Sequence, residues 1–586
     1  MLSAMQKPSS PRSRRPPGAW LTRFERSDGT ASPDHRESIE YFARLADASS
    51  AARMVRYGVT PQGRDLHLFV AGKDGATPAR AHGSGKAVVL IQACIHAGEV
   101  DGKDALMLLL REMLVSREAE HLLENVVLLV VPILNPDGHE RRSPSHRPNQ
   151  NGPTEAGWRA TAQGLNLNRD YTKADAPEMR ALLGVYASWR PHLIVDTHTT
   201  NGADYRYHVC YSWERAPNLD AGLADWAEER LMPHVRERVE ARGFLTGPYI
   251  DAAGSQIESI ELDAALPRYS TGYASAIDRV GLLVETHALK SFAQRVMATK
   301  HTCAAVLEVA NREARNLRAL TEAAEARSLQ DFARAGQPVP LRLELTDEER
   351  PVVFHGFETQ VEHSPITDSP VITFTGEPLD YVVPLRDQLR VVVEAVVPAA
   401  YVIPPELAHL RDRLEAHGLG VVALDADARC EVERSRLVDV ALAAASSEGR
   451  QTVTCGVERF AARVVLRAGS LVVACAQPRV RLLAHLLEPE SPDSFVAWGF
   501  CNAFLESKEY AEAYVMEPAA REMLDADPAL VAEFERRLEE DPDFRADPDA
   551  RLEFFFRRSA WYDPELCVDP ILRILSSRTL ARLLKH

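Results

Sequence analysis

Polar and apolar positions along the chain alternate between two periods. Ile39, Phe42 and Leu45 recur at helical spacing, and residues 55–57 and 65–70 read as two strands across a Pro61-Gln62-Gly63 turn. Residues 87–93 form a nearly continuous apolar run, the mark of a strand covered on both faces. Residues 102–114 follow with Ala105, Leu108, Leu109 and Met113 on one helical face. A second buried strand is predicted over 125–134, a third over 192–196 and a fourth over 281–284. Residues 289–334 are helical in pattern until Gly336-Gln337-Pro338-Val339-Pro340 breaks the period. Beyond it come short β-like runs at 341–345, 371–374 and 389–397, a helix over 407–417, and strands at 420–424 and within 464–473. The pattern predicts an α/β fold: a mixed-sheet α/β/α domain over 19–334, a β-rich accessory domain over 341–485 whose runs up to about 400 suggest a sandwich, and a helical acidic C-terminal region over 486–586. Residues 1–18, rich in Pro, Ser and Arg, predict a disordered N-terminus.

A chain of 586 residues is too long for one compact core, and 45% apolar residues suffice for several. The net charge of −16, with Lys and Arg scattered, argues against a nucleic-acid partner. No window is long and apolar enough to span a bilayer, which argues against a membrane partner. Eight Cys residues lie apart in mostly apolar runs and read as buried thiols of a reducing compartment. The N-terminus has no apolar stretch of signal-peptide length. The expectation is therefore a cytoplasmic protein, or a secreted or periplasmic one if the start is misassigned. Oligomeric state is not legible.

Chemistry concentrates where the predicted strands end. The first buried strand runs into Cys94-Ile95-His96-Ala97-Gly98-Glu99, and imidazole plus carboxylate three residues apart suit Zn²⁺, with a third ligand needed from elsewhere. The other three strands end at Asn135-Pro136-Asp137-Gly138, Thr197-His198-Thr199 and Glu285-Thr286-His287. Open α/β sheets bind ligands beyond the carboxyl ends of their strands, so four polar groups delivered there point to one site.

Together with Gly164-Leu165-Asn166-Leu167-Asn168-Arg169-Asp170, these motifs resemble, in order and separation, the zinc carboxypeptidases of the pancreatic type over about residues 20–310, leaving the region beyond about 340 outside. The resemblance implies a zinc-peptidase domain and one Zn²⁺ per chain held by His96, Glu99 and His198, with a position left to water. It also implies Glu285 as general base, Arg159 as stabiliser of the oxyanion, and Asn168 and Arg169 as receptors of the substrate's free C-terminal carboxylate. A tyrosine closing over that carboxylate is expected, and Tyr269 and Tyr273 both qualify. The implied partner is a peptide with a free C-terminus. Three departures stand out: Gly98 where pancreatic members carry Arg, Asn166 where they place an Asp behind the first zinc histidine, and Asp170 in place of Asn. Two other readings remain open, a zinc-dependent deacylase or amidase of small N-acyl amino acids and a non-catalytic binding module.

Overall fold

The computed structural model describes residues 18–73, 77–250 and 256–585. Apart from Gly18, the N-terminal stretch expected to be disordered lies outside the described residues. An eight-stranded mixed sheet is built from β1 (Ala52–Val59), β2 (Asp65–Ala71), β3 (Ala87–Ala93), β4 (Val126–Val131), β5 (Leu193–Thr199), β6 (Val209–Trp213), β7 (Thr246–Pro248) and β9 (Val280–Thr286), in the order β1-β2-β4-β3-β5-β9-β6-β7. A two-residue strand, β8 (Ile260–Glu261), belongs to another sheet. The central four strands β4, β3, β5 and β9 run parallel. Their continuous Val, Ile and Leu runs are buried throughout β3, β4 and β5, as strands covered on both faces must be.

One face packs under the helices Asp101–Leu114 and Phe292–Arg312. The other is covered by the helices Pro177–Trp189 and Ser270–Ala276, and this second core continues into residues from beyond 340, including Tyr401, Leu410, Leu414, Leu483 and Phe495. Part of the apolar surface of the sheet is therefore covered by the distal half of the chain.

That half contributes β10 (Val339–Leu345), β11 (Arg350–His363), β12 (Pro370–Arg386), β13 (Leu389–Ala395), β14 (Ala400–Ile403), β15 (Val422–Ala423), β16 (Ala428–Leu442), β17 (Val453–Leu466), β18 (Leu471–Ala474) and β19 (Leu572–Ile574). In place of the expected sandwich-like pair of sheets they lie in three: β10-β13, β11-β12-β8 and β15-β18-β14-β19-β16-β17. The run expected at 371–374 is part of the 17-residue β12, and most of the paired β16 and β17 carries no strand pattern in sequence. These long ribbons are half exposed and charged, so apolar alternation does not mark them. Their register is expressed in cross-strand pairs instead, such as Glu431 opposite Arg463, whose carboxylate and guanidinium lie 2.8 Å apart. Helices follow over Ala513–Ala526, Pro528–Glu540, Pro542–Ala546 and Pro548–Phe556, three of them opened by an Asp cap and a Pro in the first turn.

Candidate active site

β3 ends at Cys94, whose φ of 58° turns the chain sharply out of the sheet. The turn places His96 and Glu99 just before the helix Asp101–Leu114. Gly102 permits that placement, because a Cβ there would collide with the Thr197 hydroxyl of β5. On β5, Asp196 and His198 are two residues apart and so share a face. Asp196 Oδ2 lies 2.8 Å from His198 Nε2. β9 runs beside β5 in a register that sets Glu285 directly next to His198.

The Nδ1 atoms of His96 and His198 lie 3.2 Å apart, and each faces one oxygen of Glu99, at 3.1 and 3.0 Å. Donor atoms around a tetrahedral zinc at about 2.1 Å are separated by about 3.4 Å, close to the spacing of the two imidazole nitrogens from each other and of each from its own Glu99 oxygen, Oε1 for His96 and Oε2 for His198. The outer ring nitrogens are held as metal-bound imidazoles require: His198 Nε2 by Asp196, and His96 Nε2 by Asn166 Oδ1 at 3.1 Å. Asn166 thus makes the hydrogen bond expected of the Asp it replaces. Among the described residues this is the one group of three or more His, Cys, Asp or Glu side chains with ligand atoms within 4.8 Å of one another. The chain therefore fits one Zn²⁺ through two imidazoles and a carboxylate, with room for further ligands.

The electrostatics are those of a cation site. Burial alone would raise Glu99, but His96, Arg147 and His198 outweigh it and hold its carboxyl well below the ordinary range. Burial pushes His96 down to about 4. His198, although buried, is raised well above its usual value by the carboxylates of Asp196, Glu99 and Glu285. Burial pushes Glu285 up to about 8, with the charges of Glu99 and Asp196 adding to the effect. Its Oε2 has no hydrogen-bond partner. Lys290 is engaged with Asp204 and the Tyr205 carbonyl.

A cleft of about 480 Å³ opens from this cluster, lined by His96, Glu99 and Glu285 on one side and Arg159, Asn168, Arg169 and Tyr269 on another. Arg159 Nη1 is 3.5 Å from Glu99 Oε1. Arg169 donates to the Asn168 carbonyl at 2.7 Å and lies over the Tyr269 ring at 4.4 Å. It has no carboxylate partner among the described residues, because its neighbour Asp170 is buried against Lys173. Tyr273 does not reach the cleft. Its fully buried ring packs against Tyr171 and Tyr186, and its hydroxyl bonds His417. Of the two expected tyrosines only Tyr269 lines the cleft, since helical geometry from Ser270 onward turns Tyr273 inward. The Asn-Pro-Asp-Gly turn also stays outside it: Asn135 caps its own short helix and donates to the Arg159 carbonyl, while Asp137 binds Arg64 and Thr60.

Two residues here escaped the sequence reading. Arg147 reaches Glu99 Oε1 at 2.7 Å from a loop without periodicity, across the space above Gly98, where a Cβ would stand 2.6 Å from the Arg147 side chain. Arg147 thus pairs with the carboxylate of the candidate metal cluster. Asp101, within the same motif as Glu99, accepts from Thr199, Thr286 and Arg295, tying the helix start to the ends of β5 and β9. Only the placement of Asp101 two residues after Glu99 could have flagged it.

The zinc carboxypeptidase family profile matches residues 39–219. Carboxypeptidase 2 of Trichophyton rubrum is 25% identical over 498 residues, covering 81% of this chain and 85% of that protein, and carboxypeptidase 2 of Trichophyton equinum is 25% identical over 496 residues with the same coverage. Coverage of 81% exceeds what residues 1–340 could supply, so the likeness extends into the region that the motifs had left outside it. Among solved structures, the carboxypeptidase A of Helicoverpa armigera aligns at 16% identity and a TM-score of 0.36, over 48% of this chain and 74% of that one. The metallo-carboxypeptidase of Burkholderia cenocepacia aligns at 18% and 0.35, over 47% and 68%. Profile and relatives point to the peptidase rather than to the deacylase. Residues 39–219 carry the zinc carboxypeptidase profile, and together with the likeness to carboxypeptidases this supports a metal-dependent peptide hydrolase.

Proposed function

We propose that the protein removes the C-terminal residue of peptides carrying a free α-carboxylate, with His96, Glu99 and His198 holding one Zn²⁺ and Glu285 as general base. What supports the exopeptidase reading above all is Arg169, a guanidinium in the same cleft as the candidate metal cluster and without a carboxylate partner among the described residues. Such a fork binds a carboxylate bidentately. When bound, zinc supplies Lewis acidity that brings the pKa of a water to about 7 and a positive charge that favours ionised Glu285. Glu285 then takes the proton of the attacking water through its unpartnered Oε2 and passes it to the leaving amine. Arg159, still partly exposed beside Glu99, opposes the negative charge that develops on the attacked carbonyl oxygen. Asn168 and Arg169 receive the terminal carboxylate, and Tyr269, stacked on Arg169, covers it.

The test is a pair of otherwise identical peptides, one ending in a free acid and one amidated, with kcat/KM measured before and after chelation of metal. The free acid should be cleaved at least about 10²-fold better, because amidation leaves the guanidinium without its charge partner. Equal cleavage of both refutes the exopeptidase assignment.

A further inference from the structure

Residues 261–266 and 269–271 line the cleft together with the candidate metal cluster. Between β8 and the helix Ser270–Ala276 this segment has no ladder or helix of its own; its middle is tied to the catalytic half, the Ala265 N–H donating to Glu214 Oε2 at 3.2 Å and its carbonyl accepting from Asn218 Nδ2 at 3.3 Å, and the rest of its path depends on what holds its ends. Both ends are held by the chain beyond residue 340. Upstream, β8 pairs with Leu385 and Arg386 of β12, the Leu262 N–H donates to the Arg386 carbonyl at 2.9 Å, and Arg386 forms an ion pair with Glu261.

Downstream the grip is tighter. The Arg268 backbone N–H donates to Asp493 Oδ2 at 2.7 Å and its Nε to Oδ1 at 2.6 Å. Its Nη2 donates to the Pro492 carbonyl at 2.7 Å, and its guanidinium lies 4.6 Å from the centre of the Trp498 ring. Asp493 is fully buried, and Trp498 nearly so, its indole N–H donating to Thr172 Oγ1. The next residue in the chain is Tyr269, and the one after donates its N–H to Asn168 Oδ1. One carboxylate from the distal half thus fixes the backbone and side chain of the residue adjoining the group stacked on Arg169.

We infer that Asp493, acting through Arg268, is a positioning residue for Tyr269 and the substrate-facing wall, which makes the region beyond residue 340 part of the substrate-binding machinery. The inference rests on the proposed carboxylate end of the cleft. It uses no contact between Asp493 and substrate: the carboxylate orders the segment before substrate arrives, so that binding need not do so.

The test uses the full-length, zinc-loaded protein. Asp493→Asn keeps size while removing charge and turning a donor toward a donor, and Arg268→Lys keeps charge while losing the forked geometry. Each is expected to raise KM for a free-acid peptide about 10-fold or more, with kcat less affected and zinc stoichiometry unchanged. Amide hydrogen exchange over 260–272 should accelerate at least about 10-fold while β3, β5 and β9 keep wild-type protection. A merely stabilising role would lower the unfolding temperature and leave KM alone. A free-acid KM within about threefold of wild type in either folded variant overturns the inference. If the wild-type enzyme itself shows no preference for a free C-terminus, the proposed function falls, and exchange over 260–272 alone decides: acceleration upholds the positioning role and wild-type protection rejects it.

Discussion

Replacing Arg169 by Ala removes the cation that defines the substrate end of the cleft. Its guanidinium spends one donor on the Asn168 carbonyl and has no carboxylate partner among the described residues, which leaves donors for a ligand. Two charge-assisted hydrogen bonds to a carboxylate contribute about 1.5–3 kcal/mol each, and part of that is lost to solvent because Arg169 is only half-buried. A net loss of about 3–4 kcal/mol corresponds to a fall of about 10²–10³ in kcat/KM on a free-acid peptide. On the amidated peptide the charge pairing is already absent, and the variant should lose no more than about threefold, chiefly through the stacking on Tyr269. The difference between the two losses is the coupling energy of a double-mutant cycle with one partner on the substrate. Arg169→Lys should recover part of the free-acid rate, as a point charge without the fork. Steady-state kinetics of the three proteins on both peptides reads every term. Equal losses on both substrates, or less than about 10-fold on the free acid, would show that Arg169 does not receive the terminal carboxylate.

Glu285→Gln should retain zinc while kcat falls by about 10² or more, since an amide cannot take the proton; near-normal turnover would move the base elsewhere. His198→Ala should abolish stoichiometric zinc by elemental analysis, and stoichiometric retention would mean that another residue completes the ligand set. Glu178 tests the fold rather than the site. Its carboxylate is fully buried with no cation or side-chain donor on either oxygen among the described residues, and burial pushes it up to about 7 from 4.5. Below pH 4.5 folded and unfolded forms both hold the proton. Between 4.5 and 7 only the unfolded form releases it, so stability falls as pH rises, by about 3 kcal/mol in all. Glu178→Gln should accordingly be more stable than wild type to urea at pH 8 and nearly equal at pH 4, and a difference independent of pH would contradict the assignment.

Much of the catalytic half is legible locally. Buried parallel strands announce themselves as unbroken apolar runs, and a polar residue at the end of such a run can only sit at the edge of the sheet. His96, Glu99, His198 and Glu285 follow from that rule together with motif order. The two candidate tyrosines, four residues apart, could not be separated before the phase of the helix Ser270–Ala276 was known, and that phase puts Tyr273 in the core. Arg147 was invisible because its loop has no period and its partner Glu99 is 48 residues away.

What the sequence by itself determined is therefore the sheet, its carboxyl edge and the chemistry presented there, because strand burial and ligand spacing are properties of short segments. Only the tertiary structure decided which arginine pairs with Glu99, which tyrosine faces the cleft, and that Asp493 holds Arg268 across 225 residues. Those contacts join segments whose local patterns are unrelated, and their pairing is set by how two faces of one sheet are covered.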